Sequence, residues 1–479
     1  MKTKYLVTVS LSASLIFLGQ PFSSVSAASA GGTCQKIGSI SGALKKPLVC
    51  KKVSGKLKWV AVAVSTNSTP SNSAAPTTTT VVKTQTFFTP SIASDGSGVC
   101  EIQDRSLNRA TYPNGLYVGF PRRAIKFPTS GVLNYALIPM DWSDLPGNEK
   151  RLQESVKQAD LFKSWMETAS QGRVRIKWKI HPSWVRMAGA SSSWYTPSAF
   201  PANVEFGNAA IAAADREFDF SSVDAVIFYL PESQNVFIEG SQGTVDSGLE
   251  RPFQTAEGSV SSFGVIGKYF DQWQKNNWSA WAHYSLIWMG MPELFDAKAN
   301  RGGAPDRAIP AGNMHGYDIM AGQDGPYRQL SGWLRYLLDW FEPNQVYCKK
   351  LENTSAIKLS LEPVGNSSTK LKMVGIRVSD TKLIAIESRR FDKQFDCESE
   401  AEFKKNGVIV YIVDSTQGHV TGETLSLVSP FNRPIVNYGC NSPPLQDSVM
   451  SVGDYVDILG LRIKVVESDK FDTIEITRP

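Results

Sequence analysis

Apolar and polar positions along the 479-residue chain fall into two regimes. In the first, strand-like and helix-like patterns alternate. Residues 132–140 are a nearly continuous apolar run, the signature of a strand buried on both faces. Residues 149–169 place apolar side chains at helical spacing, and residues 173–180 alternate basic with apolar, the period of a half-buried strand. A helix is predicted over 205–217 and a buried strand over 224–230, ended by Pro231. Residues 275–291 are apolar and rich in Trp, with Gly290 and Pro292 as stop signals, so they predict a buried helix. A further helix is predicted over 327–341. In the second regime, after Cys348, only short strand patterns remain: 356–361, 370–378, 382–388, 407–413, 424–428, 454–466 and 472–477. The prediction is an α/β domain over 98–348 followed by an all-β, sandwich-like domain over 349–479.

The first hundred residues differ. Residues 1–27 have two lysines, an apolar run and a small-residue end at Val25-Ser26-Ala27, the layout of a signal peptide. Residues 28–60 form a small basic module bracketed by Cys34 and Cys50. Residues 61–97 are a Ser/Thr/Pro-rich linker, too polar to offset its ordering entropy by burial, and read as an extended mobile tether. No later stretch is apolar enough for a transmembrane segment, so the mature chain is expected to be secreted or held at the cell surface.

Export bears on the cysteines. Cys34, Cys50, Cys100, Cys348, Cys397 and Cys440 are an even set, and disulfides are the default outside the cell. Cys34 and Cys50 are the natural local pair. The other four allow three pairings, of which Cys100–Cys348 with Cys397–Cys440 is preferred. Charge is uneven as well. The net +5 includes two lysines of the leader and seven of residues 31–60, a stretch without acids, so the remainder carries about −4. The basic face of strand 173–180 reads as solvated, and no nucleic-acid partner is expected. Neither a G-x-S-x-G elbow nor a phosphate-binding G-x-x-x-x-G-K-[ST] loop occurs.

The chemistry-bearing stretch is Ala282-His283-Tyr284-Ser285-Leu286-Ile287-Trp288-Met289-Gly290-Met291-Pro292-Glu293-Leu294-Phe295-Asp296, with Tyr317-Asp318-Ile319-Met320-Ala321 downstream. Together these resemble the zinc peptidases of the immune inhibitor A type, whose helix carries H-E-x-x-H, then a turn glycine, then a third ligand and a Met turn. Segments 138–144, 170–173, 181–185, 220–225, 383–389 and 406–414 extend the resemblance over about residues 130–415. The resemblance implies a metzincin-like zincin fold for the first domain. It places His283 at the first ligand, Glu293 at the third, and Gly290 and Met320 in structural positions.

The departures matter equally. Tyr284 stands where the general-base Glu belongs, and Ile287 where the second His belongs. A phenol with a pKa near 10 is a poor base at neutral pH, and Ile offers no lone pair. Three readings follow. The first is a catalytically inactive relative that binds peptides or cell-envelope polymers and uses no cofactor. The second is an active zinc peptidase with a non-standard site of His283, Glu293 and His315. The third is a structural surface protein. For His283 the plain alternative is a core histidine bonded to Glu293 or Tyr284.

Overall fold

A computed structural model describes residues 33, 40–41, 48–61, 85–106, 116–125, 127–194, 204–232, 240–242, 253–266, 276–296, 314–323, 325–397, 406–436 and 445–479. The segment 1–27 expected to be a signal peptide, Cys34 and Cys440 lie outside these residues. The chain divides into Met1–Lys83 and Thr84–Pro479. In the first unit, β1 (Ile40–Ser41), β2 (Leu48–Val53) and β3 (Lys56–Ala61) form an antiparallel sheet. Ser54 and Gly55, with φ of 48° and 78°, make the tight β2–β3 turn, in which two left-handed residues match the twist of the strands.

The second unit begins with β4 (Gly131–Asp141), α1 (Glu149–Ala169), β5 (Val174–Ile180) and β6 (Val185–Arg186). Next come α2 (Val204–Ala214), β7 (Ala225–Tyr229), β8 (Gly240–Gln242), β9 (Phe253–Thr255), β10 (Gly258–Val260) and β11 (Ser262–Ile266). The sheet order is β5-β4-β7-β11-β8, parallel except for the antiparallel edge strand β8. Strand periodicity divides its side chains between two cores. Leu133, Tyr135 and Leu137 of β4 face α1 and the helix α3 (Asn277–Trp288), whereas Ala136, Ile138 and Met140 face α2. Both faces are covered, which is why β4 and β7 read as unbroken apolar runs.

The short helix α4 (Gly332–Leu337) leads to β12 (Val346–Lys350), β13 (Ile357–Leu361), β14 (Met373–Arg377), β15 (Lys382–Arg389), β16 (Gly407–Asp414) and β17 (Leu425–Leu427). These are followed by β18 (Ile435–Val436), β19 (Leu445–Gln446), β20 (Tyr455–Ile458), β21 (Leu461–Ser468) and β22 (Asp472–Thr477). One sheet runs β12-β14-β15-β16-β17 and a second runs β13-β22-β21-β20. Val374, Ile384 and Val410 pack against the second sheet, while Met373, Ala385 and Ile409 join the core that contains α1 and α3. The five-stranded sheet is therefore a shared wall. The chain is mixed α/β with several sheets and few helices.

Three expectations are corrected. The predicted strand 454–466 is a hairpin, because Leu459 and Gly460 take φ of 50° and 75° and reverse the chain between β20 and β21. The helix predicted over 327–341 is only Gly332–Leu337, and Asp339 at φ 64° follows its end. The linker does not reach residue 97. Phe88 exchanges hydrogen bonds of 2.9 Å with Ser360, Phe87 packs edge-on to Phe471, and Asp95 pairs with Lys349 at 2.6 Å. Its apolar Phe-Phe pair gives that segment something to bury, which the Ser/Thr composition upstream lacks. The disulfide Cys100–Cys348 is present, and it closes a sequence separation of 248 residues. Cys397 is disulfide-bonded too. Among the described residues no helix is long and apolar enough to cross a membrane.

Where β15 meets α4, a charged network is fully buried. Glu387 accepts from Arg389, from the Tyr411 hydroxyl at 2.8 Å and from the Gly332 backbone N–H at 2.6 Å. Arg389 also donates to the Tyr317 carbonyl at 2.9 Å. Removing one partner of such a network strands the other charge away from water. Glu387→Ala is predicted to destabilise the chain by about 3–5 kcal/mol, and Tyr411→Phe by about 1–3 kcal/mol. Urea unfolding measures both, and a Glu387→Ala loss under about 1 kcal/mol would contradict the assignment.

Candidate functional site

Helix α3 carries His283, and all twelve of its residues are buried. Burial on every side follows from its composition, which holds three Trp and no Asp, Glu, Lys or Arg. The helix ends in a Schellman arrangement. The Met291 N–H donates to the Leu286 carbonyl at 2.9 Å, and the Gly290 N–H to the Ile287 carbonyl at 2.8 Å. Gly290 has φ 90°, and a Cβ there would lie 2.7 Å from the Tyr117 ring, so glycine is required twice over. This sharp exit brings Glu293 back beneath the helix.

His283 uses both ring nitrogens. Nδ1 lies 3.0 Å from the Ile319 carbonyl, and Nε2 lies 2.8 Å from Glu293 Oε1. A carbonyl only accepts, so Nδ1 carries a proton; facing an ionised carboxylate, Nε2 carries one as well. Burial pushes the His283 pKa down, but the hydrogen bond and charge of Glu293 outweigh it and the net direction is up. For Glu293, burial raises the pKa, and the hydrogen bond and charge of His283 overcome that to bring it down. The pair is thus an imidazolium–carboxylate contact.

The 317–321 turn supplies the first acceptor, the Ile319 carbonyl. Asp318 accepts from the Met320 N–H at 2.8 Å and the Ser331 N–H at 2.7 Å, which fixes the turn and presents the Ile319 carbonyl to His283. Burial raises the Asp318 pKa against those hydrogen bonds. Met320 itself is buried, and its carbonyl accepts from the Leu294 N–H at 2.9 Å.

A third group arrives from the β16–β17 connection. The Glu293 N–H donates to His419 Nδ1 at 3.1 Å, which leaves the proton of a neutral imidazole on Nε2, 3.3 Å from Glu293 Oε2. Burial lowers the His419 pKa, in keeping with that neutral tautomer. The loop is braced by Val420 N–H on the Glu293 carbonyl and by Thr421 and Thr424 on the Gly418 carbonyl. Val420 sits at φ 55°, a conformation a β-branched residue takes only when its surroundings impose it.

Of the sequence-derived residues, the fold brings together His283 and Glu293, with Gly290 and Met320 shaping the site. Tyr284 turns to β11, where a Cβ on Gly264 would lie 3.0 Å from its ring, and Ile287 is buried apolar surface. The histidine that joins the pair is His419 and not His315. Nothing but the scarcity of histidine, four in the chain, pointed to it.

Zinc, which the resemblance implies, does not fit these side chains as placed. Two donors on a tetrahedral zinc at 2.0–2.1 Å stand about 3.3 Å apart. His283 Nε2 and Glu293 Oε1 are 2.8 Å apart, a hydrogen-bond separation. Ile287 supplies no replacement donor. Among the described residues no group of three or more His, Cys, Asp or Glu is arranged to hold a metal ion.

No family model matches the chain, and no curated protein matches it. Among solved structures, wild-type OgpA from Akkermansia muciniphila is similar over 64% of this chain and 89% of its own, at 10% identity and a TM-score of 0.25.

The two directions of shift set a pH window. The His283 contribution is complete below its ordinary value of 6.5 and is lost as pH rises through its raised folded value. The Glu293 contribution is present above 4.5 and is lost as pH falls through its lowered value. His419, held neutral, adds stability above 6.5 and gives it up as pH falls through its lowered value. The gap in thermal midpoint between the native chain and Glu293→Gln is therefore predicted to be widest near pH 5–6.5 and to narrow on the alkaline side. A gap that is constant from pH 4 to 9 would contradict the ion pair.

Proposed function

We propose that this chain is an exported, metallopeptidase-like protein without peptidase activity, which binds extracellular peptides or envelope material. The observation that carries the reading is the occupation of His283. Both of its nitrogens are spent, on a backbone carbonyl and on Glu293, at the position where the resemblance expects a metal ligand. Tyr284 and Ile287 add to it. Loss of a positioned base alone typically costs about 10²–10⁴ in rate, and an aliphatic side chain in place of a ligand removes the metal that would activate water. The retained turn glycine and Met turn support descent from an active scaffold. The seven lysines of residues 31–60 would keep the protein near anionic polymers.

The convergence of two imidazoles and a carboxylate favours one other reading, a peptidase whose zinc is held by His283, Glu293 and His419. It requires Glu293 to release His283 and the imidazolium to lose a proton. Metal content and casein cleavage of the protein from zinc-supplemented culture separate the two. The proposal predicts no stoichiometric zinc and no chelator-sensitive cleavage. One zinc per chain, abolished together with cleavage in His283→Ala, would overturn it. The double variant Tyr284→Glu, Ile287→His is predicted to gain zinc binding. No gain would remove the basis for aligning α3 with the peptidase helix.

A further inference from the structure

Three sheet edges of the second unit are capped from within the chain. At β5 the Ile176 N–H donates to Glu167 at 3.2 Å and the Val174 N–H to Ser170 Oγ at 3.0 Å. At β12 the Cys348 carbonyl accepts from the Asp95 N–H at 2.8 Å. At β13 the Ser360 N–H donates to the Phe88 carbonyl at 2.9 Å. β20, the outer strand of β13-β22-β21-β20, is different. The two-residue turn Leu459-Gly460 makes Ile458 and Leu461 a hydrogen-bonded pair, and alternation makes Val456 and Ile463 the next. The N–H and C=O groups of Tyr455 and Asp457 therefore point away from β21. Among the described residues no hydrogen bond reaches them. Such an edge is a template for another strand.

The surroundings of β20 are apolar. Of the nine exposed large apolar side chains among the described residues, five fall within 431–459: Phe431, Ile435, Val452, Tyr455 and Leu459. Arg433 pairs with Asp447 and Asp454, which ties the segment of Phe431 and Ile435 to the start of β20. The charges of the strand decide what can lie beside it. Tyr455 and Asp457 share its exposed face. From β21, Arg462 donates to both Asp457 oxygens at 2.8 Å and lies over the Tyr455 ring at 4.3 Å. A second β20 laid antiparallel, Val456 against Val456, sets Tyr455 of each copy opposite Asp457 of the other. Each such pair exchanges two backbone hydrogen bonds, so every outward N–H and C=O of Tyr455 and Asp457 is satisfied. No like charges face each other in this register, whereas placing Asp457 against Asp457 would oppose two carboxylates. At the ends of the pairing, Val452 of one copy approaches Leu459 of the other. We infer that β20 is a self-complementary edge, through which two copies of this chain join their four-stranded sheets about a two-fold axis at Val456.

The test is analytical ultracentrifugation of the full chain from about 1 to 100 μM, with hydrogen exchange read at residues 452–459 over the same range. The native chain is expected to pass from monomer to dimer, with protection of 452–459 rising in step. Tyr455→Glu sets a carboxylate opposite Asp457 of the second copy and is predicted to weaken association at least about tenfold. Tyr455→Lys sets a cation there and should weaken it less. Both changes fall on an exposed side chain, and the exchange readout needs no variant. The inference is overturned if the native chain stays monomeric, if a dimer forms without protection at 452–459, or if Tyr455→Lys disrupts it as much as Tyr455→Glu.

Discussion

The imidazole of His283, donating at one nitrogen to Ile319 and at the other to Glu293, is the contact on which the centre of the second unit depends. It joins α3, the Met turn, the 293–296 segment and, through Glu293, the His419 loop. These pieces are far apart in sequence; Glu293 and His419 are separated by 126 residues. A buried charge is tolerated only when it is paired and hydrogen-bonded, so each member of the set depends on the others. The hydrogen bonds of His283 hold these segments together.

A second set of buried charges does similar work on the far side of the core. Glu387, Arg389 and Tyr411 lie on the face of the five-stranded sheet that meets α4, and Arg389 donates to the Tyr317 carbonyl at the start of the Met turn. Arg389 and Asp318 also sense each other electrostatically. The turn that presents Ile319 to His283 is thereby fixed from both sides. This explains why the β-rich half is continuous with the α/β half. The sheet has no solvent face in its middle strands, and its buried charges are satisfied partly by one another and partly by the Gly332 N–H and the Tyr317 carbonyl of the other half.

Much of this was legible in the chain. Strands β4, β7, β15 and β16 and helix α3 stood out because burial on all sides produces long apolar runs, α1 because its apolar side chains recur at helical spacing, and the α3 exit because Gly290 and Pro292 mark it. The Glu293 position followed from spacing along one continuous segment. Other features were hidden for physical reasons. Leu459 gives no warning that it will adopt a left-handed turn conformation. Residues 327–331 are apolar and polar in a helical rhythm, yet their backbone is claimed by Asp396 and Asp318 side chains. His419 lies in a loop with no pattern, and its role exists only once the β16–β17 connection is folded against the α3 exit. The protonation of His283 was equally out of reach, since it depends on a carbonyl and a carboxylate from different segments.

The most direct test of a site held by protons is the state of the His283 ring itself. Long-range ¹H–¹⁵N NMR of the full chain at pH 7, recorded with and without one equivalent of zinc, reports it. Both His283 nitrogens are predicted to show protonated shifts that zinc leaves unchanged. A deprotonated Nε2 whose resonance moves to a metal-bound shift on adding zinc would contradict the account.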